Sequence, residues 1–464
     1  MWSAIETGAR YGISFLVGIV LARLLSPDEY GLIGILTIFI NFFNVIVDGG
    51  FTNAIIRKQG AKDIDYCTVF YINFCVSFLL CIILFLCAPI IAHYFEREEL
   101  VSLTRVMSLA VLINGLGIVQ KAKLTKAIDF KCQTKISLSA SFVSGVVGIA
   151  MAATGFGVWA LVAQQLTQLS LNTILLWLST KWLPKLQFSL ESFRDLWSFG
   201  WKLLVSGILD SLSTEVTHAV VGKCYSPITL GKYTRAKQFS DIFSGSLTTI
   251  IQRVTYPVLS SIQDDAKRLK EAYRMVIKVT CLPTFILMMC LAAVARPMIL
   301  VLIGEQWEEC AKYLQIICFS AMLFPLHALN LNAIQVMGRS DLTLKIKVLK
   351  TLLQIIPITL GIIFNIYWML IASIFTSLVA YYLNAYYSKP LLNYGINEQV
   401  KDILPSIGIS FGIAIPIYAL SFISISPFVL LPMQILVGGL WGILLLEMSK
   451  LPEYLELKSI LYRR

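Results

Sequence analysis

Fourteen apolar runs, each of spanning length, follow one another from residue 2 to residue 447. They lie near 2–22, 31–50, 66–92, 103–120, 136–154, 157–178, 197–221, 238–257, 276–303, 311–336, 346–364, 367–387, 403–424 and 428–447. A membrane helix takes ~20 apolar residues, and strands are far shorter. The pattern predicts an all-α integral membrane protein with about fourteen transmembrane helices. Charged residues make up only 14% of the 464, too few to coat a water-exposed body, so little chain is left for a soluble domain. Pro283, Pro357 and Pro416 fall inside runs, which membrane helices tolerate where neighbours re-satisfy the backbone.

The net charge of +11 would suggest nucleic acid in a soluble chain. Here basic loops at anionic lipid account for it, and no nucleic-acid partner is expected. The ten cysteines lie mostly inside apolar runs, without metal-ligand spacing, and read as reduced core residues. No metal or cofactor is expected. No cleavable signal peptide is visible; Met1-Trp2 already lies inside the first run, an abrupt start that suggests a few basic residues upstream.

Orientation follows from Lys and Arg outside the runs. With both termini cytoplasmic, 25 basic residues fall on the cytoplasmic side and eight on the outer side. Four of the eight, Lys223, Lys232, Arg235 and Lys237, crowd the outer connection 222–237, as a snorkelling rim or as a rim that attracts anions.

The runs also repeat. Ser26-Pro27-Asp28-Glu29-Tyr30-Gly31 recurs as Ser226-Pro227-Ile228-Thr229-Leu230-Gly231, 200 residues on. Ala88-Pro89-Ile90-Ile91 is echoed by Arg296-Pro297-Met298-Ile299, and Trp159-Ala160-Leu161-Val162-Ala163 by Trp368-Met369-Leu370-Ile371-Ala372. Each match lies six runs apart. Six is even, so the copies share one orientation, an arrangement of parallel repeats known in transporters. The expected organisation is an N-lobe at 1–180, a C-lobe at 196–388, and two extra helices with a cytoplasmic tail at 389–464.

The Ser26–Gly31 turn after Leu21-Ala22-Arg23-Leu24-Leu25 resembles the start of polysaccharide flippases of the multidrug/oligosaccharidyl-lipid/polysaccharide exporter superfamily. Asp48-Gly49-Gly50-Phe51 fits too, as does Tyr256-Pro257-Val258-Leu259-Ser260 before the basic stretch 267–274. The resemblance covers the whole chain and is closest to the Wzx-type branch of lipopolysaccharide, colanic-acid or teichuronic-acid export. It implies two six-helix lobes around a central cavity. It also implies movement of an undecaprenyl-pyrophosphate-linked oligosaccharide across the bacterial cytoplasmic membrane, for O-antigen, capsule or exopolysaccharide assembly. Polysaccharide polymerase and chain-length proteins would be partners.

Ionisable residues inside the runs are the candidate site, because charge at membrane depth is costly without a partner or a cavity. Glu6 and Arg10 are four apart on the first run, either as a self-neutralising pair or with Arg10 turned to pyrophosphate. Arg57 and Arg253 belong to repeat-equivalent runs, and one from each would suit a pyrophosphate; lipid headgroup contact is the alternative. Asp210, Glu215 and His218 share one broad face of the seventh run. They are candidates for coupling to H+ or Na+, the alternative being a pairing of Asp210 with Lys202. His93 and His327 read as interfacial or satisfied core histidines, and Asp48 as a helix-end residue.

No nucleotide-binding P-loop, H-E-x-x-H or G-x-S-x-G motif occurs. A membrane polymerase or ligase would be expected to need a sizeable outer loop, and the longest here has about 16 residues. An ion-coupled multidrug antiporter of the same superfamily is the other rival, and a cationic cavity would repel its drugs.

Overall fold

The computed structural model describes residues 2–262, 265–337 and 339–462. Within these, the side chains of 2–11, 246, 247, 249–254, 256–258, 260, 261, 266, 335, 340, 388 and 460–462 lie outside the description. Every regular element described is helical. The first compact unit, Met1–Gly231, holds α1 (Trp2–Leu24), α2 (Pro27–Asp48), α3 (Phe51–Arg57), α4 (Asp63–Phe95), α5 (Glu99–Lys126), α6 (Phe130–Ala153), α7 (Val158–Thr180) and α8 (Leu190–Cys224). Helix α9 (Pro227–Ser261) begins in this unit and runs on into the second, Lys232–Arg464. The second unit continues with α10 (Ala266–Leu302), α11 (Glu308–Ala321), α12 (Phe324–Val336), α13 (Ser340–Leu353) and α14 (Ile355–Ile363). It ends with α15 (Ile366–Leu392), α16 (Ile396–Ala419), α17 (Pro427–Ser449) and α18 (Pro452–Tyr462).

Ten described segments are long and apolar enough to cross a membrane, so the chain is a multi-pass membrane protein. The sequence counts fourteen runs. Of the other four, α1 and α9 are described only in part. Helices α7 and α8 are long enough but dilute their apolar residues with polar ones, among them Gln164, Gln165, Gln168 and Asn172 on α7 and Asp210, Glu215 and His218 on α8.

Local chemistry explains the breaks. Gly49 and Gly50 both have positive φ, +54° and +73°, which ends α2 at Asp48 and restarts the chain as α3. The run 346–364 splits at Gln354, because the Pro357 ring cannot pack against the carbonyl four residues back. The run 311–336 splits for the same reason at Pro325, and α11 ends at Ala321. The stretch 222–237, expected as an outer connection, is mostly helix rather than loop: α8 reaches Cys224 and Pro227 opens α9.

The repeated Ser-Pro turn is a helix-start signal. Ser26 and Glu29 form a capping box: the Ser26 amide donates to Glu29 Oε2 at 2.6 Å and the Glu29 amide to Ser26 Oγ at 3.4 Å. In the second copy the Thr229 amide donates to Ser226 Oγ at 3.1 Å. The two copies also meet. A Cβ added to Gly31 would lie 1.8 Å from the Pro227 carbonyl oxygen, and one on Gly231 would lie 2.0 Å from that of Pro27. The glycine of each turn thus admits the backbone of the other.

Helix α8 packs on α2, α3 and α4. Division by packing therefore leaves it in the first unit, whereas division by repeat groups it with the second copy. In the second unit α10 is the central helix and packs on α11, α16 and α17. Tyr273, Phe285 and Trp307 are fully buried around it.

Candidate functional site

The polar cluster of the first unit lies where α2 and α8 meet. On α8, Glu215 is only 7% exposed, and His218 one turn later places Nδ1 3.1 Å from Glu215 Oε2. Two lone pairs at that distance repel, so one proton lies between them. Across the interface Asn41 Nδ2 donates to Glu215 Oε1 at 3.0 Å. Asn41 is exposed on its other side, as are Asp210 and Thr214 on α8. Exposed polar side chains midway along such helices fit a water-filled cavity better than lipid. Of the three expected acid and imidazole groups, the structure brings Glu215 and His218 together and places Asp210 on an exposed face. Asn41 is the member that sequence reasoning missed. It is one of two amides, with Asn44, in the otherwise apolar stretch 38–47, which is the signal that could have found it. Asn44 is used structurally and accepts from Asn114 Nδ2 at 2.9 Å.

The other end of the same helices is basic and aromatic. Arg57 ends α3, with its guanidinium 4.3 Å from the Phe199 ring centroid. Among the described residues no carboxylate pairs with it. Its neighbours are committed elsewhere. Lys58 Nζ lies 2.8 Å from Asp195 and 3.0 Å from Asp65, and the hydrogen bond to Asp195, then that to Asp65, raises its pKa above the ordinary lysine value. Lys123 Nζ sits 4.6 Å from the Trp182 ring and 4.9 Å from Tyr66. Lys126 Nζ donates to the backbone oxygens of Ile55 and Lys58, closing the C-terminal end of α3. Arg57 thus stands as an exposed cation on a stiff frame. The side chains of Glu6, Arg10 and Arg253 lie outside the described residues; their backbones belong to α1 and α9.

Other expected groups are structural. His327 is held by Ser377 Oγ at 3.0 Å and Asn384 Nδ2 at 3.1 Å, a satisfied core histidine. His93 is exposed at the end of α4, and Asp48 ends α2 and accepts from Thr52. In the basic stretch 222–237 Lys223 pairs with Glu96 at 2.8 Å and Lys232 with Glu309 at 2.7 Å, so these two charges are compensated.

Two Ser-Pro helix starts and a succession of long apolar helices define the class: a polytopic helical membrane protein. A solved structure shares the fold. The lipid II flippase MurJ, in an inward closed conformation, matches with a TM-score of 0.79 over 100% of this chain and 98% of that one, at 16% identity, which is a likeness of fold. The chain belongs to the polysaccharide biosynthesis protein family, whose profile matches residues 20–312. It is similar to the succinoglycan biosynthesis transport protein ExoT of Rhizobium meliloti (strain 1021), 25% identical over 319 residues, 69% of this chain and 65% of that protein. It is also similar to the lipopolysaccharide biosynthesis protein WzxC of Escherichia coli (strain K12), 25% identical over 366 residues, 78% of this chain and 74% of that protein.

Proposed function

We propose that this chain is a flippase. It moves an undecaprenyl-pyrophosphate-linked oligosaccharide across the cytoplasmic membrane by alternating access, supplying surface polysaccharide assembly, and it is not an enzyme. The observation that carries the reading is the family match over residues 20–312, joined to a whole-chain fold likeness to a lipid II flippase. Both termini face the cytoplasm, as the 25-to-8 split of basic residues favours. Arg57 is the best-supported pyrophosphate ligand: its planar fork stays charged, and Phe199 holds it without using its N–H donors. Arg10 and Arg253 complete the set on sequence grounds. Asp210, Glu215 and His218 couple the cycle to an ion gradient, and polymerase and chain-length proteins are the partners.

The test is flipping of a fluorescent undecaprenyl-pyrophosphate oligosaccharide in proteoliposomes. Arg57→Ala and Arg253→Ala are each expected to cut the rate by about 10–100-fold, the worth of one or two hydrogen bonds to a charged group. A wild-type protein that moves cationic drugs and leaves the lipid-linked sugar in place would overturn the reading.

A further inference from the structure

Three spanning helices of the second unit, α10, α11 and α16, build an apolar groove of about 430 Å³. Helix α10 is its floor and packs on both of the others. The floor is made of small side chains, Ala292 and Ala293 of α10, with Ala414 of α16 beside them. Phe319 of α11 and Phe411 of α16 join the two walls, their ring centroids 6.3 Å apart. Ile415 and Phe422 on the α16 wall are 62% and 80% exposed, so the groove opens sideways from a membrane-spanning surface. Apolar rims of that kind face lipid rather than water.

Helical geometry sets the level of each wall residue. Arg274 and Asp402 pair near the starts of α10 and α16, so these two helices run the same way, and α11 runs back after the turn at Gly304. Seven residues make nearly two turns, ~10.5 Å, and return to almost the same face. Lys312 stands seven residues before Phe319, Tyr418 seven after Phe411, and Arg296 seven after Met289 in the groove wall. All three therefore stand at one end, the mouth, and the Phe319–Phe411 contact closes the groove further in.

The mouth is cationic. Arg296 Nη2 lies 2.9 Å from Glu308 Oε1, and Glu309 is taken by Lys232 at 2.7 Å. Glu305 stands in the turn before α11. Lys312 is exposed, and among the described residues no carboxylate pairs with it. Gln315, one turn in from Lys312, and Tyr418 are the polar side chains of the wall. Among the described residues neither side chain has a hydrogen-bond partner.

We propose that this groove is a binding site for one anionic glycerophospholipid. Lys312 takes the headgroup phosphate, Gln315 and Tyr418 donate to the ester carbonyls, and an acyl chain runs over the alanine floor to the rings of Phe319 and Phe411. The order of groups along the groove is the order along such a lipid: cation, neutral donors, apolar floor. A zwitterionic headgroup brings its own ammonium, so the unpaired lysine selects a head of net negative charge. A polyprenyl pyrophosphate has no ester carbonyls for the two donors, and its long methyl-branched chain would meet the closed end. In the orientation proposed above, the mouth lies on the outer side. The site is independent of the transport reading, because its lipid stays with the protein and is not cargo.

The test is site-resolved photolabelling of the full chain in nanodiscs. The probes are phosphatidylglycerol and phosphatidylethanolamine carrying a diazirine in one acyl chain, and labelled peptides are read by mass spectrometry. Phosphatidylglycerol is expected to label the peptides around Phe319 and Phe411 ~10-fold more than phosphatidylethanolamine does, the order of one charge-assisted hydrogen bond. Lys312→Gln, at an exposed position that leaves folding intact, should bring that labelling down to the phosphatidylethanolamine level and leave labelling elsewhere on the chain unchanged. Ala414→Leu, which fills the floor, should cut the labelling by both probes. Equal labelling by the two lipids, a Lys312→Gln variant that keeps the preference, or loss of the label on adding stoichiometric undecaprenyl phosphate would each overturn the proposal. A protein that flips the lipid-linked sugar yet shows no preference here would sink this site and leave the transport reading standing.

Discussion

Alanine at Gly31 will weaken the first unit by ~3 kcal/mol or more, and a thiol-reactive dye will report it as a fall in Tm of roughly 5–10 °C. The added Cβ would stand 1.8 Å from a backbone oxygen of Pro227, far inside contact distance. The obstacle is backbone rather than a side-chain tip, so no rotamer change relieves it, and α2 must move off the start of α9. Gly231→Ala should behave alike, since its Cβ meets the Pro27 oxygen at 2.0 Å. Cys67 and Cys81, both buried in α4, supply the thiols that unfolding would uncover. Gly408→Ala is the control, with nothing within 4 Å of its Cβ, and should leave Tm nearly unchanged. A Gly31→Ala protein that melts with the wild type would mean that the two turns do not pack as described.

Asp402→Ala is expected to cost the second unit ~2–4 kcal/mol. Asp402 is 5% exposed and sits on α16 in a dense group with residues of α10, α18 and the turn after α15. Arg274 donates to it through Nε at 2.5 Å and Nη2 at 2.6 Å, and Tyr394 donates its hydroxyl at 2.7 Å. Lys278 Nζ lies 3.8 Å from Asp402 and equally 3.8 Å from Glu453 of α18, itself 1% exposed. Without the carboxylate, the fully buried Tyr394 hydroxyl loses its acceptor, and two cations face each other with one anion fewer. Asp402→Asn keeps an acceptor for Tyr394 and should recover part of the loss. Thermal unfolding in nanodiscs measures both, and an alanine variant within about 0.5 kcal/mol of wild type would refute the assigned role.

Local features were legible. Apolar periodicity located the helices, and the Ser-Pro turns located two helix starts, because a cap is a contact over three residues. The placing of Glu215 and His218 on one face came from the same short-range geometry. The reading of 222–237 as a loop between two runs was corrected, because the helices extend past the apolar runs: α8 continues to Cys224 and Pro227 starts α9. There Lys223 pairs with Glu96, just beyond α4, and Lys232 with Glu309 on α11, partners 127 and 77 residues away in sequence. Arg57 was named for its charge. That Phe199 holds it, while Lys58 and Lys126 are otherwise engaged, could not be read from spacing.

By itself the sequence determined a multi-pass helical membrane protein, since composition, run length and end caps act within a few residues and need no neighbour. The tertiary structure decided which polar groups and which close backbone approaches come together. Gly31 against Pro227, Asn41 on Glu215 and Arg274 on Asp402 join residues 128 to 196 positions apart. Contacts of that range depend on which helix faces are brought together, and a periodic pattern, common to every helix in the chain, carries no information about which partner each face will meet.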